Sequence, residues 1–159
     1  MPLTLIDCYV IFNEPTDRED WLARCVASLE HPAVNVEVCR FATSGLVAPR
    51  RHTIIQNHDP ARWLLFADPD DEAVNPGYTR FMDFLQTTTA QAVFSKEVDS
   101  KGNTITGHHL VALRGAALAQ VTIPEQQYET QVYPDALFPE VTYLWHHHAA
   151  NTRGRPRNV

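Results

Sequence analysis

The stretch Trp63-Leu64-Leu65-Phe66-Ala67-Asp68-Pro69-Asp70-Asp71 carries five mostly apolar residues straight into three acids. An unbroken apolar run of that length, ended abruptly by charge, predicts a strand buried on both faces. The acids then fall just past its carboxyl end, where open α/β sheets place their ligand sites. Hard divalent cations such as Mg²⁺ and Mn²⁺ are held by one or two carboxylates together with substrate phosphates. A metal site holding a diphosphate is one reading of the stretch. Acids that cap the next helix or form a solvated turn are the other. Pro69 stiffens the loop and holds the carboxylates apart.

Upstream, Leu3–Phe12 is β-rich and nearly all apolar, which predicts a central strand. Thr16-Asp17-Arg18-Glu19 fits a capping box, and Trp21, Leu22, Cys25, Val26 and Leu29 follow at helical spacing. Val34–Phe41 predicts a second, half-buried strand. Leu46–Asn57 predicts a helix with Pro49 near its first turn. Downstream of the acids, Asn75-Pro76 has the form of an N-cap and N1 proline before the apolar stripe Tyr78, Phe81, Met82 and Leu85. The first half therefore alternates βαβαβα, which predicts a parallel sheet with right-handed crossovers and helices on both faces.

After Thr87–Thr89 the pattern changes. Ala92–Val98, the turn Ser100-Lys101-Gly102-Asn103 and Thr104–Leu113 predict a hairpin. Short helical turns are expected at Gly115–Gln120 and Glu125–Gln131, then a last strand over Val141–His146. The expected organisation is one domain over 1–159, with halves 1–89 and 90–150 and a basic tail over 151–159. The fold class is α/β, with a mostly parallel, Rossmann-like central sheet and a small antiparallel or mixed C-terminal part.

The 159 residues suffice for a real core, and 44% hydrophobic with 20% charged residues is ordinary for a globular chain. A net charge of −6 argues against an electrostatic nucleic-acid binder, without excluding an enzyme that acts on one. No apolar run approaches the roughly 18 residues of a membrane span. The start Met-Pro-Leu-Thr-Leu-Ile-Asp lacks the basic flank of a signal peptide, so a cytoplasmic location is expected. Cys8, Cys25 and Cys39 form no C-x-x-C pair and read as small buried hydrophobes. Two histidine clusters stand out, His108–His109 and His146–His148.

Several chemistries are excluded by position. In haloacid-dehalogenase-type phosphatases the D-x-D lies on the first strand, not the third. Response-regulator receivers need an early acidic couple, and Asp7 stands alone in mid-strand. Neither a P-loop nor G-x-G-x-x-G occurs among the six glycines.

The remaining pattern resembles the GT-A glycosyltransferases, particularly the family-2-like group. Asp68-Pro69-Asp70-Asp71 matches that family's D-x-D-D after an apolar strand. Val10–Asn13, Ala27-Ser28-Leu29 and Ala48-Pro49-Arg50-Arg51 are similar to its upstream pieces, with Arg51 where the family often has Asn. Leu110–Leu118, with Arg114, resembles its strand turning into a short helix. Tyr128-Glu129-Thr130 occupies the place of its E-D pair. Pro139–His147 resembles its closing P-E-V strand, with Asn151-Thr152 after it.

The resemblance implies a GT-A-like fold and transfer of a sugar from a nucleotide-diphosphate sugar, a UDP-sugar foremost, to an acceptor hydroxyl with inversion. The acceptor, be it glycan, protein or nucleic acid, is left open. It implies Asp70 as the direct ligand of Mn²⁺ or Mg²⁺, Asp68 on ribose or a metal-bound water, and Asp71 orienting either. Glu129 is the first choice for the base and Asp135 the second.

Other assignments come from the residues themselves. On a strand His146 and His148 share a face, and either can complete a metal sphere. Arg50 and Arg51 suit a diphosphate, and Asn13 and Glu14 the nucleotide base. Arg153, Arg155 and Arg157 form either a lid over the diphosphate or a disordered end. Three carboxylates this close repel one another without a cation, so local destabilisation is expected in the metal-free chain.

Two alternatives stay open: a non-catalytic nucleotide-sugar-binding module, kept by Thr130 where the family has Asp, and a nucleotidyltransferase of related fold, weakened by Asn13-Glu14-Pro15-Thr16 in place of a Gly-rich loop. Only about 70 residues follow Thr89. The expectation is therefore a large, exposed acceptor, or a surface borrowed from another subunit of a homo-oligomer.

Overall fold

The computed structural model describes residues 3–146, so His148, the tail arginines and Asn151-Thr152 lie outside the described residues. The first half alternates as the sequence predicts: β1 (Ile6–Asn13), α1 (Glu19–Ser28), β2 (Val34–Phe41), α2 (Val47–Gln56) and β3 (Trp63–Ala67). A two-residue strand, β4 (Glu72–Ala73), then precedes α3 (Gly77–Leu85). The second half holds β5 (Ala92–Asp99), β6 (Thr104–Thr106), β7 (Ala112–Leu113), 3-10 turns at Gly115–Gln120 and Tyr128–Gln131, and β8 (Ala136–Trp145).

The strands form one sheet in the order β2-β1-β3-β7-β5-β8-β4, with β6 paired to β5. β1 runs parallel to β2 and β3, and β5 parallel to β8. β7 is antiparallel to both β3 and β5, β6 to β5, and β4 to β8. The sheet is therefore mixed rather than mostly parallel. The longer strands point one way, and three strands of two or three residues run against them. The expected second hairpin strand, Thr104–Leu113, is split in two. Gly107 at φ 73° turns the chain out of its pairing with β5's outer half, and it re-enters as β7 between β3 and β5. Only glycine is at ease there, because a Cβ on Gly107 would lie 2.2 Å from the Phe94 ring.

Alternation along β3 supplies both cores. Trp63, Leu65 and Ala67 join β1, α1 and α3 through Ile6, Leu22, Cys25, Phe81 and Met82. Leu64 and Phe66 face Ile55 of α2, Val111, Leu118 and Tyr128. Each such side chain contributes about 1.5–3 kcal/mol by leaving water. Trp63 also donates its indole N–H to Leu85 O at 2.9 Å, so the largest core side chain leaves no polar atom unpaired.

Some local expectations shift. α1 starts at Glu19 after Arg18, and Thr16 does not cap it. Asp17 instead accepts from the Asn13 N–H at 2.7 Å, closing the turn after β1. Cys8 and Cys25 are buried, whereas Cys39 is half-buried on the outer strand β2. β8 begins five residues before the expected Val141, because Ala136 and Leu137 already pair with Val93 and Phe94.

Candidate active site at the carboxyl end of β3

Asp68 continues the face of β3 that carries Leu64 and Phe66, and it meets α2. That helix buries Ala48, Arg51, His52 and Ile55, a stripe at helical spacing that turns Arg51 inward. Arg51 Nη2 donates to Asp68 Oδ1 at 2.6 Å, with both side chains about nine-tenths buried. The guanidinium lies 5.1 Å from the Phe66 ring centroid and donates from Nη1 to Gln127 Oε1 at 3.3 Å. Arg51 is thereby the internal counter-ion of Asp68.

Asp71 is fully buried and is held from β8. Pairing of β4 with β8 sets Ala73 opposite Tyr143 and Glu72 opposite Leu144. The Tyr143 hydroxyl donates to Asp71 Oδ2 at 3.1 Å and accepts from the Asp68 N–H at 2.8 Å. Asp71 Oδ1 accepts from the His146 N–H at 2.9 Å. Burial pushes the Asp71 carboxyl well above its ordinary range, only partly opposed by His109. Asp70 is buried beside them, and Arg24 Nη2 donates to its carbonyl oxygen at 3.4 Å.

The pivot of the cluster is His109, which arrives on the irregular segment between β6 and β7. Its Nε2 lies 3.1 Å from Asp68 Oδ2 and 3.8 Å from Asp71 Oδ2. Its Nδ1 lies 2.8 Å from Glu97 Oε1, and its N–H donates to Glu97 Oε2 at 2.6 Å. Burial alone would lower the imidazole's pKa, but Asp68 and Glu97 outweigh it and raise it to about 10. Glu97, by contrast, is pushed up by burial, yet His108 and His109 bring it down to about 2. The imidazolium and Arg51 thus balance the acids from within. His109 offsets part of the repulsion expected among the acids, but Asp68 and Asp70 still help to raise the Asp71 carboxyl.

Asp68, Asp71 and His109 each offer a ligand atom within 4.8 Å of the others. Two carboxylate oxygens and an imidazole nitrogen suit Mn²⁺ better than Mg²⁺. Glu97 on the far ring nitrogen is the carboxylate partner that metal-bound histidines ordinarily have. The residues present fit a divalent ion, although the trio differs from the expected set. Among the described residues the trio includes His109 and not Asp70, the expected direct ligand, or His146; His148 lies outside the described residues. His146 Nε2 sits instead 2.8 Å from Glu72 Oε2.

Glu129, in the second 3-10 turn, is buried near Arg51, His108 and His109, and its Oε2 has no hydrogen-bond partner. Burial raises its pKa, partly offset by Arg51. Asp135 is at the other end of the sheet, where its carboxylate accepts from the N–H groups of Gln91 at 2.9 Å and Ala92 at 2.7 Å. There it caps the start of β5, away from Asp68. Arg50 Nη1 donates to Asn13 Oδ1, and its guanidinium lies 3.7 Å over the Phe41 ring. Both residues thus meet at the carboxyl edge of β1 and β2, while Glu14 is exposed.

Sequence reasoning missed His109, Glu97 and Tyr143 as site residues. The adjacent histidines were a signal, as were the polar residues Ser95, Glu97 and Asp99 alternating inward along β5. Nothing in the sequence brings Glu97 to His109 without the bend at Gly107.

No protein-family model and no curated protein matches the chain. Solved structures of S. aureus TarS are similar to it. TarS 1-349 aligns at TM-score 0.65 and 12% identity over 89% of this chain and 60% of that one. Its complex with UDP-GlcNAc aligns at TM-score 0.66 and 12% identity over 91% and 59%, and its complex with UDP at 0.63 and 11% over 94% and 63%. The chain therefore spans about three-fifths of TarS 1-349. At this identity the likeness shows a shared fold and nothing finer, and it does not point to the family-2-like group.

Proposed function

We propose that the chain is a metal-dependent glycosyltransferase that moves a sugar from a nucleotide-diphosphate sugar, a UDP-sugar foremost, to an acceptor hydroxyl. The observation that carries this reading is the convergence of Asp68, Asp71 and His109 at the carboxyl end of β3. The fold supports it, because structures of the same fold have been solved with UDP-GlcNAc and UDP.

Asp68, Asp71 and His109 would hold Mn²⁺ or Mg²⁺, with Asp70 beside them. When bound, the ion supplies neutralisation of the negative charge that grows on the departing diphosphate. The chain's own residues do the rest. Arg51 holds the Asp68 carboxylate in place, and Tyr143 orients Asp71 while pinning the backbone of Asp68. Arg50 and Asn13 line the same sheet edge and suit the nucleotide and its phosphates. Glu129 takes the proton from the acceptor hydroxyl as its oxygen bonds to the sugar's anomeric carbon on the face opposite the diphosphate; the carbon–oxygen bond to the diphosphate breaks, and this single displacement inverts the centre. Its unpartnered oxygen and raised pKa suit a group that must accept a proton.

The test is incubation with Mn²⁺ and a panel of nucleotide sugars, followed by the release of free UDP. Slow UDP release that disappears in Asp71→Asn supports the transferase. Tight UDP binding with no turnover on any acceptor would instead assign the chain as a binding module.

A further inference from the structure

We propose that Glu97, His108 and His109 form a second metal site, for a divalent transition ion of the Zn²⁺ class, distinct from the Asp68 and Asp71 carboxylates. His108 Nδ1, His109 Nδ1 and Glu97 Oε1 form a triangle with edges of 3.0, 2.8 and 3.2 Å. Ligand atoms about 2.0–2.2 Å from a tetrahedral Zn²⁺ stand roughly 3.3–3.6 Å apart, so the edges must open by about 0.1–0.8 Å, most at the 2.8 Å edge between His109 and Glu97.

Hydrogen bonds alone do not satisfy this triangle. Two ring nitrogens bring at most two protons to three edges, so one edge always sets like polar atoms face to face. A cation at the centre satisfies all three at once. Two imidazoles and one carboxylate favour Zn²⁺ and its neighbours and disfavour Mg²⁺.

The backbone is bent to make the cluster. Adjacent residues on a regular strand point to opposite faces, so His108 and His109 would diverge. Between Gly107 at φ 73° and Leu110 at φ 48° both rings turn onto Glu97 instead. A leucine in the left-handed region is uncommon and is held there by its surroundings, a form of local strain concentrated at functional sites. Glu97 and His109 are buried, whereas the His108 side chain is 42% exposed, which leaves an entry path and an open position on the solvent side.

This inference does not rest on the transferase reading. An ion here takes His109 through Nδ1 and leaves Nε2–H on Asp68, so a single imidazole serves one site or the other.

Zn²⁺ titration of the full chain by calorimetry in excess Mg²⁺, with Co²⁺ absorption as a spectroscopic probe, tests the proposal. His108→Ala is a surface change whose folding circular dichroism can verify. It should weaken Zn²⁺ binding at least as much as the ~10–100-fold seen when an outer partner of a metal site is removed. The variant H146A/H147A/H148A should bind as the parent does, and Asp68→Asn, which alters only the outer partner of His109 Nε2–H, should weaken binding by no more than ~10–100-fold and less than His108→Ala does. The proposal is overturned if the parent binds no Zn²⁺. It is equally overturned if His108→Ala binds normally, or if binding vanishes with the 146–148 histidines or with Asp68.

Discussion

At the scale of single residues, the Arg51–Asp68 pair sets the character of the site. Removing one partner of a buried ion pair leaves the other charge uncompensated. Arg51→Met should therefore lower the unfolding free energy by about 3–5 kcal/mol in urea titrations, and a loss under about 1 kcal/mol would remove the pair from the account. Glu129→Gln keeps size and burial but not basicity. It should reduce turnover by roughly 10²–10⁴-fold while leaving UDP affinity unchanged, which kinetics and calorimetry separate. Asp7 gives a pH prediction away from the site. Burial raises its carboxyl, but the Arg62 bonds at 2.5 and 2.6 Å and Asn35 win, so it lies below its ordinary 3.8. A depressed folded pKa contributes stability that is complete above 3.8 and fades as pH falls through the folded value. Asp7→Asn should thus be less stable than the parent at pH 7 by about 1–3 kcal/mol, and the gap should narrow steadily below pH 3.8.

At the scale of elements, the contact between α3 and β8 brings the two halves together. A Cβ on Gly77 would lie 1.8 Å from the Val141 carbonyl oxygen, so the helix start touches the strand that delivers Tyr143 and His146. Gly77→Ala should cost about 1–3 kcal/mol and weaken metal-dependent nucleotide binding together with stability. A variant as stable as the parent would show that this contact is not tight. Periodicity made β1, α1, β2, α2, β3 and α3 legible within a few residues, because each buries a face along its own length, whereas the expected Thr16 cap did not form. β4 and β7 were not legible, since two-residue strands have no period; they exist because a partner strand passes nearby. The same division runs through the site. The acids announce themselves by following β3, whereas His109 and Glu97 meet only after a bend that no local pattern encodes. Asp135 illustrates the converse. In sequence it is a second carboxylate near Glu129, and in space it caps the far end of β5.

At the scale of the whole molecule, one mixed sheet presents the carboxyl ends of β1 and β3 and the end of β8 along a single edge. Asn13, Arg50, Asp68, Asp71 and His109 all lie there, although 96 positions separate the first from the last. Open α/β sheets in general place ligand sites at such an edge, because the loops there are free to vary while the strands hold them. No helix among the described residues is long and apolar enough to cross a membrane. Calorimetric titration of UDP, first with Mn²⁺ and then with EDTA, decides whether this edge holds a nucleoside diphosphate through a divalent ion as proposed. Saturable UDP binding with Mn²⁺, lost with EDTA and lost in Asp71→Asn, is expected; UDP binding of equal strength in EDTA would rule the metal-bridged site out.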